Sequence, residues 1–251
     1  MSKKPETALE YAQKTLLDIL FPIYCLGCER EGSWLCRSCA EKVKILENQA
    51  CPQCEKEITP GGKLCSRCRR EKKSRLDAMI CAVSYKAPAT KKLVHIFKYN
   101  FVTDAAKILS HFILKAFLSH ECPLPSAIIP VPLHQKRLRW RGFNQAALLA
   151  ENISRTLAPP LQIPILDILE RKKCNQPQME VKNYQERLRN VKDVFRLKSG
   201  FDHRAIQGKK LLLIDDIATT GATLEECARV LKENGAKKIF TAVVARQTLK
   251  K

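Results

Sequence analysis

The ten residues IDDIATTGAT, from Ile214 to Thr223, put two adjacent carboxylates and a Thr/Gly loop at the end of an apolar run. Carboxylates and converging backbone amides are the parts of a site that holds a sugar phosphate. Gly221 permits a tight turn, and the amides of 219 to 223 can gather around an anion that a following helix dipole also favours. Asp215 and Asp216, just before that nest, suit the vicinal hydroxyls of a ribose whose 5'-phosphate is cradled by Thr219, Thr220, Gly221, Ala222 and Thr223. A plain strand-to-helix turn with an Asp cap would account for a lone acidic pair, and is the lesser reading of the whole string. No GxxxxGK(S/T) string occurs in the chain, which argues against a nucleoside triphosphatase loop. Thr223 and Glu226 also have the spacing of a capping box.

A second stretch, VPLHQKRLRWRGFNQ (131 to 145), gathers His134, Lys136, Arg137, Arg139 and Arg141 around Trp140. We read it as a basic loop between a proline-stopped strand and a helix begun by Asn144 and Gln145, with Gly142 allowing the turn. Against a small molecule, these cations would neutralise a pyrophosphate held opposite the 5'-phosphate loop. Against nucleic acid, they would contact backbone phosphates while Trp140 stacked on a base. The bland alternative is a solvated basic loop.

Eight of the twelve cysteines fall in four CxxC pairs: Cys25 with Cys28, Cys36 with Cys39, Cys51 with Cys54, and Cys65 with Cys68. Thiols two residues apart chelate one tetrahedral metal, and two such knuckles close a structural zinc site with no open position. Disulfides would require an oxidising compartment, and the N-terminus carries charges through its apolar part, unlike a secretory signal. Two structural zinc ions are therefore expected. Sequential pairing gives one ribbon from 25 to 39 and another from 51 to 68; an interleaved brace is the alternative. Cys81, Cys122, Cys174 and Cys227 read as packing residues.

The elements that must position these groups alternate. AMICAVSYK (78 to 86), SAIIPVPLH (126 to 134), LLLI (211 to 214) and KKIFTAVVARQ (237 to 247) read as strands. KKLVHIFKYN (91 to 100), 104 to 120, 143 to 158 and 223 to 235 read as helices, so the fold class is α/β with a mostly parallel sheet flanked by helices. Both candidate loops then lie at strand carboxyl ends, where open α/β sheets bind ligands. Residues 6 to 21 carry an apolar stripe ended by Pro22 and read as a docking helix. CRREKKSR (68 to 75) reads first as a solvated linker and second as a phosphate-contacting patch. The resulting domains are 1–24, a docking helix; 25–75, a double zinc-ribbon module; and 76–251, the α/β domain.

The formal charge of +20 favours polyanionic partners, and two four-thiolate zinc sites would lower it only to about +16. No apolar run reaches the roughly 18 residues of a membrane-spanning helix, so a soluble protein without a transmembrane segment is expected; with zinc preferred to disulfides and no secretory signal visible, a cytoplasmic location is expected.

The string at 214 to 223 resembles the phosphoribosyl pyrophosphate signature of type I phosphoribosyltransferases. CxxC knuckles, a PVPLH...R...RGFNQ...LLA segment and an IDD...TTGAT loop, in that order, resemble the ComF family of competence-associated phosphoribosyltransferase-like proteins. The likeness runs from LLDILFP (16 to 22) to the last strand. It implies a type I phosphoribosyltransferase-like domain behind a small N-terminal double zinc ribbon. In such relatives a Q...L...R..NV...F loop joins the two motifs; Gln178, Val181, Arg187, Asn190, Val191 and Phe195 are its nearest counterparts. Val181 replaces the usual leucine, Asn175 stands where threonine is common, and the spacing to Arg187 is one residue longer than in the family pattern. The resemblance implies binding of phosphoribosyl pyrophosphate with Mg2+, and a role in handling single-stranded DNA during uptake beside the uptake machinery. The alternative is an active phosphoribosyltransferase with a base or amine acceptor. The residues themselves identify no acceptor and leave enzymatic activity open.

Overall fold

In the computed structural model, which describes residues 22–72, 74–99, 102–157, 162–172 and 191–247, the LLLI run becomes part of a nine-residue strand that continues through both aspartates. The strands are β1 (Ala78–Ser84), β2 (Ala127–Pro130), β3 (Leu169–Arg171), β4 (Phe195–Leu197), β5 (Lys210–Ala218) and β6 (Lys238–Arg246). Four of them form one sheet in the order β1-β6-β5-β2, and every pairing in it is parallel. Such a sheet buries both faces. Met79, Leu211, Leu213, Ile239 and Val243 belong to one core cluster, while their neighbours Ile80, Leu212, Ile214 and Ala242 are equally buried on the other face.

The helices are α1 (Arg37–Glu41), α2 (Ser66–Arg70), α3 (Pro88–Tyr99), α4 (Ala105–Ser119), α5 (Gln135–Arg141), α6 (Gln145–Leu157) and α7 (Ala222–Glu233). Helices α4 and α6 pack on each other and on the sheet, whereas α7 joins the core shared with β3 and β4. Strands β3 and β4 form an antiparallel ribbon of their own. That ribbon departs from the sequence reading, which took 161 to 171 only as an apolar run. Three-residue strands carry too little periodicity to be read alone.

The chain divides into two compact units, Met1–Val43 and Lys44–Lys251. The division falls between the cysteine quartets, so the second quartet shares a unit with the sheet. Gln49 fastens it there: its Oε1 accepts from Cys81 N at 2.9 Å and its Nε2 donates to Cys81 O at 3.0 Å. The expected docking helix at 6 to 21 lies outside the described residues. So do Cys174, Asn175, Gln178, Val181, Arg187 and Asn190. Val191 and Phe195 are described, and both are buried.

Candidate functional site

Cysteine knuckles place four thiols around one point because the backbone between the cysteines at i and i+3 of each pair folds back on itself. Cys25, Cys28, Cys36 and Cys39 form one cluster, and Cys51, Cys54, Cys65 and Cys68 the other, with the sulfurs of each within 4.8 Å of one another. The grouping is sequential, not interleaved. Zinc bound by four thiolates at about 2.3 Å holds them about 3.8 Å apart; Cys28 and Cys36 sulfurs are separated by 3.7 Å, and Cys54 and Cys65 sulfurs by 3.9 Å. Backbone amides already point at the sulfurs. Cys36 N donates to Cys25 Sγ at 3.3 Å, and Cys65 N to Cys51 Sγ at 3.4 Å. The donor set and spacing fit structural zinc.

Asp215 and Asp216 occupy the carboxyl end of β5, and the turn that follows is made by Gly221 at φ 77°. That left-handed conformation explains a glycine there. Thr220 Oγ1 accepts from Ala222 N at 3.3 Å and helps start α7. The expected capping box does not form, because α7 begins at Ala222 with Gly221 at its cap. Glu226 accepts instead from the Asp193 amide at 2.8 Å and pairs with Arg229. Thr219 and Thr223 flank the turn, so all five loop residues lie together beside the aspartates.

The two carboxylates differ. Asp216 Oδ1 pairs with Lys98 Nζ at 3.0 Å, and both side chains are largely buried. Burial, and then the neighbouring Asp216 carboxylate, push Asp215 up to about 7, against the opposing charges of Lys98 and Arg171.

The basic stretch reaches the same sheet edge. Pro130 of β2 lies opposite Ile214 of β5, and Val131 N donates to Ile214 O at 2.9 Å. The segment expected as a loop is largely the helix α5, because His134 caps it and Gly142, at φ 72°, ends it. His134 Nδ1 accepts from Lys136 N at 3.1 Å. Burial and the charges of Arg171, Lys136 and Arg137 lower its pKa, so at neutral pH His134 is an uncharged cap where a cation had been expected. Lys136 and Arg139 are exposed and Arg137 half-buried. Arg141 is buried: it donates to Gln145 Oε1 at 3.1 Å and lies over the rings of Tyr99 and Trp140. Trp140, 57% exposed, is the aromatic surface next to these cations.

Sequence reading missed three residues that knit this site together. Lys98 and Tyr99 end α3, so one turn touches both the acidic pair and the Trp140–Arg141 group. Arg171 ends β3 and exerts its charge on both Asp215 and His134. A lysine in a helix that also contains Lys91 and Lys92 has no distinguishing local signal, and Arg171 followed an apolar run without a motif.

A profile of the phosphoribosyl transferase domain matches residues 144–250, and one of the double zinc ribbon domain matches 16–69. Competence protein F of Haemophilus influenzae is 33% identical over 90% of this chain and 98% of its own length. DNA utilization protein YhgH of Escherichia coli K12 is 31% identical over 82% of this chain and 87% of its own. Competence protein ComFC of Bacillus subtilis is 27% identical over 80% and 79% of the respective chains. A parallel sheet with the loop after β5, the helices around it and two four-cysteine ribbons accord with these matches. The chain belongs to the ComF family, a double zinc ribbon joined to a phosphoribosyltransferase-like domain.

Proposed function

We propose that this ComF-family protein binds phosphoribosyl pyrophosphate with Mg2+ at Asp215, Asp216 and the loop 219–223, and handles single-stranded DNA along α5, with zinc in both cysteine quartets. The observation that carries the ligand half is the in-register pairing of β2 and β5. It puts a carboxylate pair, a left-handed Gly turn at a helix start and a cationic helix on one sheet edge. Ribose hydroxyls would donate to the carboxylates, amides at the start of α7 would hold the 5'-phosphate, and Arg137 and Arg139 would meet the pyrophosphate. Mg2+, when bound, would supply the charge that lets two adjacent carboxylates stay ionised. Calorimetry should register this ligand in the wild type and lose it when Asp215 and Asp216 both become Asn. A wild type with neither heat nor thermal stabilisation would reject the reading.

The DNA half is supported by the competence and DNA-utilization names of the relatives. Exposed Lys136, Arg139 and Trp140 on one short helix supply cations beside a stacking surface. Among the described residues no helix is long and apolar enough to cross a membrane. Eight metal-binding thiols fit a reducing compartment, and we assign the protein to the cytoplasm, where incoming strands and uptake proteins would meet it.

One observation favours a second reading, phosphoribosyl transfer to a base or amine. A carboxyl poised near 7, as Asp215 is, can take a proton from an attacking amine at neutral pH. Pyrophosphate release with a panel of bases and amines discriminates the two.

A further inference from the structure

The second cysteine quartet is joined to the ligand loop on two sides. On one side, the knuckle between Cys51 and Cys54 meets Arg246, the last residue of β6. Its Nη1 donates to Pro52 O at 3.2 Å, and its Nη2 lies 2.9 Å from Glu55 Oε1. The two side chains are only 10% and 14% exposed. A Cβ built on Gly221 would stand 3.7 Å from that same Nη2, so the guanidinium lies against the turn that opens the loop. The next residue, Gln247, donates its amide to Ala218 O at 2.8 Å, tying the end of β6 to the strand end before the loop. On the other side, the chain leaving the quartet is pinned to the first turn of α7. Ser74 Oγ donates to Glu225 Oε2 at 2.6 Å, and Arg75 N donates to Glu225 Oε1.

These contacts make the ribbon part of the loop's support. A guanidinium removed from water needs its counter-ion, and losing one partner leaves an uncompensated charge. Glu55 is itself held at φ 60° by a turn in which its amide donates to Cys51 O at 3.0 Å. A side chain in that region stays only where its surroundings fix it, and here the surroundings are a knuckle shaped by four converging thiols.

We propose that Arg246 is a positioning residue for the ligand loop, and that metal in the second quartet, acting through Glu55, holds Arg246 in place. The inference rests on the ligand reading given above. Because coupling between two sites is reciprocal, the ligand must tighten metal binding in the second quartet by the factor by which the metal strengthens ligand binding, and we take slower metal release as the readout of that tightening.

The test uses the full chain carrying zinc, with release followed by a chromogenic chelator in the presence and absence of phosphoribosyl pyrophosphate and Mg2+, and with affinity measured by calorimetry. In the wild type, saturating ligand should slow the release phase that Glu55→Gln accelerates. Glu55→Gln and Arg246→Met should bind ligand roughly tenfold more weakly, an ordinary size for coupling. They should also lose the ligand dependence of release, and Arg246→Lys should restore part of both. Release at one rate with and without ligand, or Glu55→Gln binding ligand as the wild type does, overturns the inference. If Arg246→Met does not fold, the wild-type release rates and Glu55→Gln still decide. Ligand binding without coupling rejects this inference alone, whereas no binding by the wild type rejects the ligand reading beneath it.

Discussion

Asp215 and Asp216 sit side by side, yet Lys98 pairs with Asp216 while burial dominates at Asp215, and the difference is measurable. Asp215 has its pKa raised from the ordinary unfolded value of about 3.9 to about 7. With the folded value above the unfolded one, its contribution to stability is fully present below about pH 4 and is lost as pH rises through about 7. Asp215→Asn should therefore raise the melting temperature of the ligand-free protein by an amount that grows between those limits and then levels, while abolishing ligand binding. Equal shifts at pH 4.5 and pH 8 in a thermal melt would contradict this. Lys98→Met should destabilise the fold by about 2 kcal/mol in urea, because it strands a buried carboxylate beside another. Unchanged stability would mean that Lys98 does not neutralise Asp216. The aspartates were legible from their neighbours in sequence; Lys98 was not, because its role arises only when α3 packs beside β5.

At the scale of elements, the strands of the sheet announced themselves as apolar runs, and the loops at their ends followed from parallel order. The basic segment was harder. Its cations drew the eye to charge, while the signs of a helix were a capping His134 before it and Gly142 after it. The capping box at Thr223 failed for the converse reason: Glu226 had the right spacing, but tertiary partners Asp193 and Arg229 claimed it. Gly221→Ala tests the loop directly. Apart from its chain neighbours, no atom of the described residues lies closer than 3.7 Å to the added carbon, so the cost is conformational, about 1 to 2 kcal/mol for an L-residue held in the left-handed region. The variant should fold and bind phosphoribosyl pyrophosphate more weakly; full affinity would show that the turn does not shape the site.

The whole molecule joins two metal-binding ribbons of different standing, one in its own compact unit and one fastened to the sheet. Elemental analysis should find two zinc ions per chain, and chelation should lower the melting temperature; full stability after both are stripped would contradict structural metal. For DNA, log affinity should fall with log salt, and alanine at Lys136, Arg137 and Arg139 together should flatten the slope by roughly 2, at about 0.7 per phosphate contact on single strands. An unaltered slope would move the interface elsewhere. The quartets were legible as ligands from spacing alone, yet their unequal attachment was not. Gln49, Glu55 and Arg246 carry that difference through contacts between distant parts of the chain.

The sheet order β1-β6-β5-β2 puts β6 between β1 and β5, although it follows both in the chain. During synthesis, β1 has no neighbour among the described strands of the sheet until Lys238–Arg246 leaves the ribosome. Until then, the apolar strands β1 and β5 keep an open edge, a hazard for aggregation in a newborn chain. The second ribbon can gather its metal early, but its ties to Arg246 must wait until β6 has left the ribosome. A ribosome stalled shortly before β6 would therefore hold a nascent chain with a formed metal knuckle and an unfinished sheet.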